Sequence, residues 1–165
     1  HRIYHDTQYG FPLKDDNKLY GRLILEINQA GLSWNTILNK EQNFRKAYSG
    51  FDFQKVAKYS EADRERLLND AGIIRNRLKV DAAIFNAQKV VSLCDEHGSF
   101  YAWLESKHPL NKLEWVKLFK KEFKFTGGEI VGEFLMSIGF LEGAHCESCT
   151  VFDEINKKIP KWLDT

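Results

Sequence analysis

Leu67-Leu68-Asn69-Asp70-Ala71-Gly72-Ile73-Ile74-Arg75-Asn76-Arg77 reads as the end of one helix, a tight hairpin and the start of another. Upstream, Ser60-Glu61-Ala62-Asp63 is a capping-box-like start for a helix ending near Ala71. Downstream, a long helix is expected from about Arg75 to Glu96, stopped by Gly98. Gly72 can take φ > 0 at no steric cost, leaving the backbone N–H groups of the next helix free at its start. With Arg75 and Arg77 beside it, such an N-terminus would hold a phosphate whatever the base sequence. An ordinary helix–helix corner has the same appearance, and the motif alone does not choose between them.

Working outward, helical spacing recurs and strand-like alternation is missing. A helix is expected from about Asp16 to Ala30, after the turn at Gly10-Phe11-Pro12. Another runs from the N-cap Ser33 to about Tyr48, with Trp34, Ile37, Leu38 and Phe44 toward the core. Shorter helices are expected near Asp52, from Phe100 to Glu105, from Leu113 to Glu122 and from Gly128 to Ile138. The tail after Cys149 is partly helical and interrupted by Pro160. No repeat, linker or low-complexity tract divides the 165 residues. The expectation is one all-α domain over residues 1–165, long enough for a sizeable core.

Net charge is +1, which neither invites nor excludes nucleic acid. Three basic clusters stand out: Arg75, Arg77 and Lys79; Lys117, Lys120, Lys121 and Lys124; and Lys157, Lys158 and Lys161. Solvated helix faces are the plain alternative for each. Three cysteines, an odd number, argue against a disulfide framework and suit a reducing cytosol. No apolar stretch reaches bilayer-spanning length and no signal peptide is visible. The chain opens at His1-Arg2-Ile3 without a methionine.

Glu26 lies in the apolar run Leu23-Ile24-Leu25-Glu26-Ile27. On a helix it shares a face with Leu19, Leu23, Ile27 and Ala30, and so points inward. A buried carboxylate costs several kcal/mol unless it is hydrogen-bonded or paired. Such a cost is usually tied to a site. Aromatic residues flank the polar stretch at the N-terminus (Tyr4 and Tyr9) and the turn Gly31-Leu32-Ser33 (Trp34). His5 lies near one end of the chain, His145 and Cys149 near the other. The spacing His145-x3-Cys149 competes with Cys146-x2-Cys149, and either suits tetrahedral zinc. A structural site needs four ligands, though, and an incidental histidine with free thiols is the alternative.

Several segments together resemble the bacterial DNA-3-methyladenine glycosylase I family. They are Tyr4-His5-Asp6 with Tyr9-Gly10, Leu25-Glu26 with Gln29-Ala30-Gly31-Leu32-Ser33-Trp34, and Asp70-Ala71-Gly72-Ile73-Ile74-Arg75 with Arg77 and Lys79. Phe123-Lys124-Phe125 with Gly127, and His145-x3-Cys149, complete the resemblance. It runs in order along nearly the whole chain and is densest from Tyr4 to about Ala87. It implies a helix-hairpin-helix fold, with that motif at about residues 60–90 and the two chain ends brought together by a structural zinc. It implies a monofunctional enzyme of base excision repair that hydrolyses the N-glycosidic bond of 3-methyladenine in alkylated double-stranded DNA. An abasic site and free 3-methyladenine are the products, and no organic cofactor is needed. A monomer in the bacterial cytoplasm is expected. His5, His145 and Cys149 match three of the family's metal ligands; the fourth, a cysteine close to the family's N-terminus, has no counterpart. Other departures are Tyr9, where the family usually has tryptophan, the poorly matching stretch 105–114, and a longer loop at residues 141–144.

The resemblance also assigns roles. An enzyme acting on a base inside a duplex must swing it out of the stack, and Leu32 is the apolar wedge for the gap. Methylation at N3 makes the purine cationic and its glycosidic bond weak, so the pocket needs to attract a flat cation and reject neutral adenine. Glu26 is the expected catalytic residue, chiefly through recognition: it accepts a hydrogen bond from the exocyclic amine and favours positive charge in a dry pocket. Trp34 and Tyr4 would sandwich the ring and Tyr9 would support the wall. Leu32, Gly72, Arg75 and Arg77 form the expected DNA-binding set. Two other readings stay open: a catalytically silent helix-hairpin-helix DNA reader, and a zinc-stabilised helical protein whose Glu26 serves internal hydrogen bonding.

Overall fold

Ten consecutive residues of one helix, Leu19 to Asn28, are buried, and the rest of the chain is arranged around them. The computed structural model describes residues 9–143, 158 and 160–163. The central helix is α1 (Asp16–Gln29), started by Asp15, whose side chain accepts the Lys18 N–H. After it come α2 (Trp34–Asn39), α3 (Glu41–Ala47), a 3-10 turn (Ser49–Phe51), α4 (Phe53–Val56) and α5 (Glu61–Leu68). The second half holds α6 (Arg77–His97), α7 (Phe100–Lys107), α8 (Lys112–Glu122), α9 (Gly128–Ser137) and a 3-10 turn (Lys161–Leu163). Among the described residues there is no strand, and no helix is long and apolar enough to cross a membrane. The all-α, single-domain expectation holds.

Helix α1 packs against α2, α6, α7, α9 and the turn at Ser49–Phe51. It is therefore covered on all sides, not on the single face that the apolar spacing implies. At Gly21 a Cβ would lie 2.7 Å from the Phe51 ring, so the close approach of that turn needs a glycine. Phe100, Trp103, Trp115, Phe119, Phe123 and Phe134 fill the space between α7, α8 and α9 with stacked, tilted and edge-on ring contacts. Tyr20 donates from its hydroxyl to the Ala83 carbonyl at 2.7 Å and fastens α1 to α6.

The two described ends meet beside α9. The Gly10 N–H donates to the Ser137 carbonyl at 2.7 Å, and the Trp162 N–H to the Gly139 carbonyl at 3.1 Å. Gly139 has φ +84°, and a Cβ there would press on the Gly10 carbonyl and Pro160, each 3.2 Å away.

Three expectations about boundaries change. The single helix expected from Ser33 to Tyr48 is two helices. Lys40, at φ −101° and ψ 1°, breaks it, and its N–H turns back to Ile37. Helix α5 stops at Leu68 rather than near Ala71, because the Asn69 N–H closes the last turn on Glu65 and Arg66. Helix α6 starts at Arg77, two residues later than expected, where the Asn76 side chain accepts the Lys79 N–H at 3.1 Å.

Candidate active site

Glu26 is 3% exposed, in the third turn of α1. Burial is the main cause that raises its carboxyl from 4.5 to about 8; Glu133 nearby adds to the shift and Arg22 opposes it. Among the described residues no hydrogen bond or ion pair engages this carboxyl. Arg22 is buried and spends one donor on the Ser137 carbonyl at 3.1 Å. Glu133, on α9, accepts a hydrogen bond from the Tyr9 hydroxyl at 3.0 Å. Glu26, Tyr9, Glu133 and Arg22 thus form one half-buried polar group where the N-terminal segment crosses α1 and α9. Burial thus favours the protonated form of this acid.

Sequence reasoning missed Glu133. The signal was present: it interrupts Ile130-Val131-Gly132-Glu133-Phe134-Leu135 as Glu26 interrupts its own apolar run. Tyr9 stands where tryptophan was expected, and its hydroxyl has a use that an indole could not serve in the same way: it is the donor that Glu133 accepts from.

From Glu26 the chain runs straight into the turn that carries Leu32. Helix α1 ends at Gln29, Gly31 adopts φ +82°, and the Leu32 N–H returns to the Gln29 carbonyl at 2.7 Å. The Gln29 side chain donates to the Leu32 carbonyl at 2.8 Å, which closes the turn. Leu32 is 38% exposed, high for a leucine. Ser33 caps α2 through the Thr36 N–H, and half-buried Trp34 opens that helix.

The hairpin lies at residues 69–76, between α5 and α6. Gly72 does not adopt positive φ there. Its N–H donates to Asp70 Oδ1 at 2.8 Å, and a Cβ would sit 3.1 Å from that oxygen and 3.2 Å from the Asn43 side chain, so a larger residue needs these side chains to give by a few tenths of an ångström. Arg75, Arg77 and Leu78 are exposed. Lys79, grouped with those arginines in the sequence reading, is 6% exposed and points inward. Tyr4, His5, His145 and Cys149 lie outside the described residues, as does Cys146. Among the described residues no three potential ligands come together for a metal ion.

A cleft of about 580 Å³ runs along α1, bordered by Phe11, Lys18, Arg22, Leu25, Arg45 and Phe51 among others. Glu26 is not on its lining. Its lining includes Arg22 and Leu25, the neighbours of the buried acid on α1.

The methyladenine glycosylase family model matches residues 1–116. The chain belongs to that family. The methyladenine glycosylase match takes in Glu26, the Leu32 turn and the whole hairpin. DNA-3-methyladenine glycosylase 1 of Escherichia coli K12 is 34% identical, over 90% of this chain and 89% of that protein. A crystal structure of 3-methyladenine DNA glycosylase I superposes with a TM-score of 0.81 at 34% identity, covering 90% of this chain and 92% of the other. A variant of 3-methyladenine DNA glycosylase I in complex with 3-methyladenine gives a TM-score of 0.81 at 30% identity, with 90% of each chain covered.

Proposed function

We propose that this chain is a DNA-3-methyladenine glycosylase of base excision repair, acting by monofunctional hydrolysis on alkylated double-stranded DNA. The observation that carries it is the buried carboxyl of Glu26 in a methyladenine glycosylase fold, next to the turn that exposes Leu32. Hydrolysis here breaks the C1′–N9 bond. The bonding pair leaves with the cationic purine, which becomes neutral 3-methyladenine; water supplies the new C1′–O bond and gives up a proton. Because the leaving group departs neutral, the general acid that an ordinary O-glycosidase needs is dispensable. The enzyme's work is to bring the base out and to favour the cation.

Glu26 supplies that preference. Ionising a carboxyl whose pKa is near 8 costs free energy at neutral pH, and a positively charged ring close to it offsets that cost. Neutral adenine offers no such compensation. Recognition is therefore coupled to loss of a proton from Glu26. Trp34 and Tyr4 are the stacking walls, and Tyr9, held by Glu133, supports one side. Leu32 fills the gap left in the duplex, while Gly72, Arg75 and Arg77 engage the phosphate backbone in a helix-hairpin-helix mode.

His5, His145 and Cys149 would hold a structural zinc that cross-links the two ends of the chain. Two imidazoles and a thiolate suit that ion. The Gly10–Ser137 hydrogen bond supports the reading, since it joins the described flanks of the two segments that carry these residues. Native mass spectrometry of the protein tests it; a mass matching the bare polypeptide would remove the metal. A monomer in the bacterial cytoplasm fits the family and the free Cys94 thiol.

The deciding experiment is release of free 3-methyladenine from methylated duplex DNA, followed by chromatography. Turnover is expected, with the sugar–phosphate strand left intact. A mobility shift without base release would reduce the chain to a reader of DNA.

A further inference from the structure

Lys79 is the least expected lysine in the molecule. It lies in the first turn of α6, two residues from exposed Arg77, yet is 6% exposed. Its Nζ donates to the carbonyls of Asn28 and Ala30, each at 3.1 Å. Those carbonyls belong to the end of α1, where the helix has no N–H groups of its own left to offer them. The third side of the ammonium faces the Phe125 ring, 5.9 Å from its centroid. The backbone next to that ring is clamped to α6 by Asn86, which accepts the Lys124 N–H at 2.8 Å and donates to the Lys124 carbonyl at 3.0 Å. Burial holds the Lys79 ammonium below the usual lysine range.

Capping a helix end does not call for this expense. An exposed Lys or Arg beside the last turn would meet the dipole with its charge still in water. What burial adds is rigidity and connection. The backbone of Lys79 is fixed by the Asn76 cap at the hairpin, and its amine is fixed to the turn that leads through Gly31 to Leu32. One side chain thus joins the element with the exposed arginines to the element with the exposed leucine.

We propose that Lys79 is a positioning residue for base extrusion, a strut that passes the docking of the hairpin on the DNA backbone to the Leu32 turn and sets how that wedge enters the duplex. The proposal rests on the glycosylase reading above. It makes Lys79 matter where a base pair has to be opened, and much less where the base is already free.

The test compares single-turnover release of 3-methyladenine from a duplex oligonucleotide and from the same strand unpaired. Lys79→Met is expected to slow the duplex reaction by about tenfold or more, and the unpaired reaction by less than about twofold, because no stack has to be broken there. Any loss of folded enzyme slows both equally and cancels in the ratio. Should Lys79→Met not fold, Lys79→Arg keeps the charge at the helix end but alters reach and donor geometry, and the same skewed ratio is expected, smaller in size. Equal slowing on both substrates, or no slowing, overturns the strut. A wild-type protein that releases no base from either substrate defeats the glycosylase reading instead.

Discussion

The stretch of α1 around Glu26 and the hairpin handle charge in opposite ways. At the hairpin, charged groups are exposed or paired: Arg75 and Arg77 face solvent, and Arg64 grips Asp81 at 2.6 Å, holding that carboxyl below the usual range. Around Glu26 the reverse holds. A carboxyl is buried with no hydrogen-bond partner among the described residues, a second carboxylate stands near it, and its pKa is pushed up to about 8. Exposed cations cost little and bind any phosphate backbone. A buried acid costs stability, and that cost can be recovered only by a ligand with the right charge. On the proposed function, the first arrangement would give affinity without discrimination, the second discrimination at the expense of stability.

Removing the buried acid should show the largest effect. Glu26→Gln is expected to lower single-turnover excision by about 100-fold or more, in the range for losing a preorganised electrostatic group, with duplex affinity changed by less than about threefold. Equal losses in rate and affinity would make Glu26 a structural residue. The same substitution has a signature in stability. Below about pH 4.5 Glu26 is protonated in both folded and unfolded chains and costs nothing. As pH rises toward 8 the unfolded chain ionises freely and the folded one does not, so stability is lost across that window. Glu26→Gln should therefore raise the melting temperature more at pH 8 than at pH 5; an equal change at both would contradict the raised pKa.

Leu32→Ala sits between the two regions. It should slow excision from duplex by about tenfold, reflecting a lost wedge for the unstacked step, with a melting temperature close to wild type since Leu32 is already exposed. A large loss of stability would return Leu32 to the core. At the hairpin, Arg75→Ala and Arg77→Ala should each weaken duplex binding several-fold and reduce the salt slope by about one unit, without changing selectivity among bases. An unaltered slope would take that arginine off the DNA. The smallest effect is expected from Glu133→Gln. Removing that charge lowers the Glu26 pKa, so excision limited by Glu26 ionisation should rise at a lower pH, by a fraction of a unit; a pH profile identical to wild type would disconnect the two acids.

How much was legible beforehand differs between these regions for a physical reason. Helix existence followed from apolar spacing and from side-chain caps at Ser33 and Ser60, both of which accept backbone N–H groups as local chemistry demands. Burial of Glu26 was legible too, because a carboxylate inside an apolar run has nowhere else to point. The break at Lys40 was not, since nothing in its neighbours' propensities opposes a continuous helix. Nor was the use of Gly72, whose constraint is the Asn43 side chain from a distant helix rather than its own φ.

By itself, then, the sequence determined the helices, the inward acid and the exposed arginines, because each depends on periodicity, capping or charge within a few residues along the chain. Only the tertiary structure decided that Glu133 reaches Tyr9, that α1 is enclosed on every side, and that Lys79 leaves its neighbours on the surface to hold the end of α1. Those are contacts between segments far apart in sequence. Their energies come from desolvation and from hydrogen bonds to carbonyls that a linear pattern does not display.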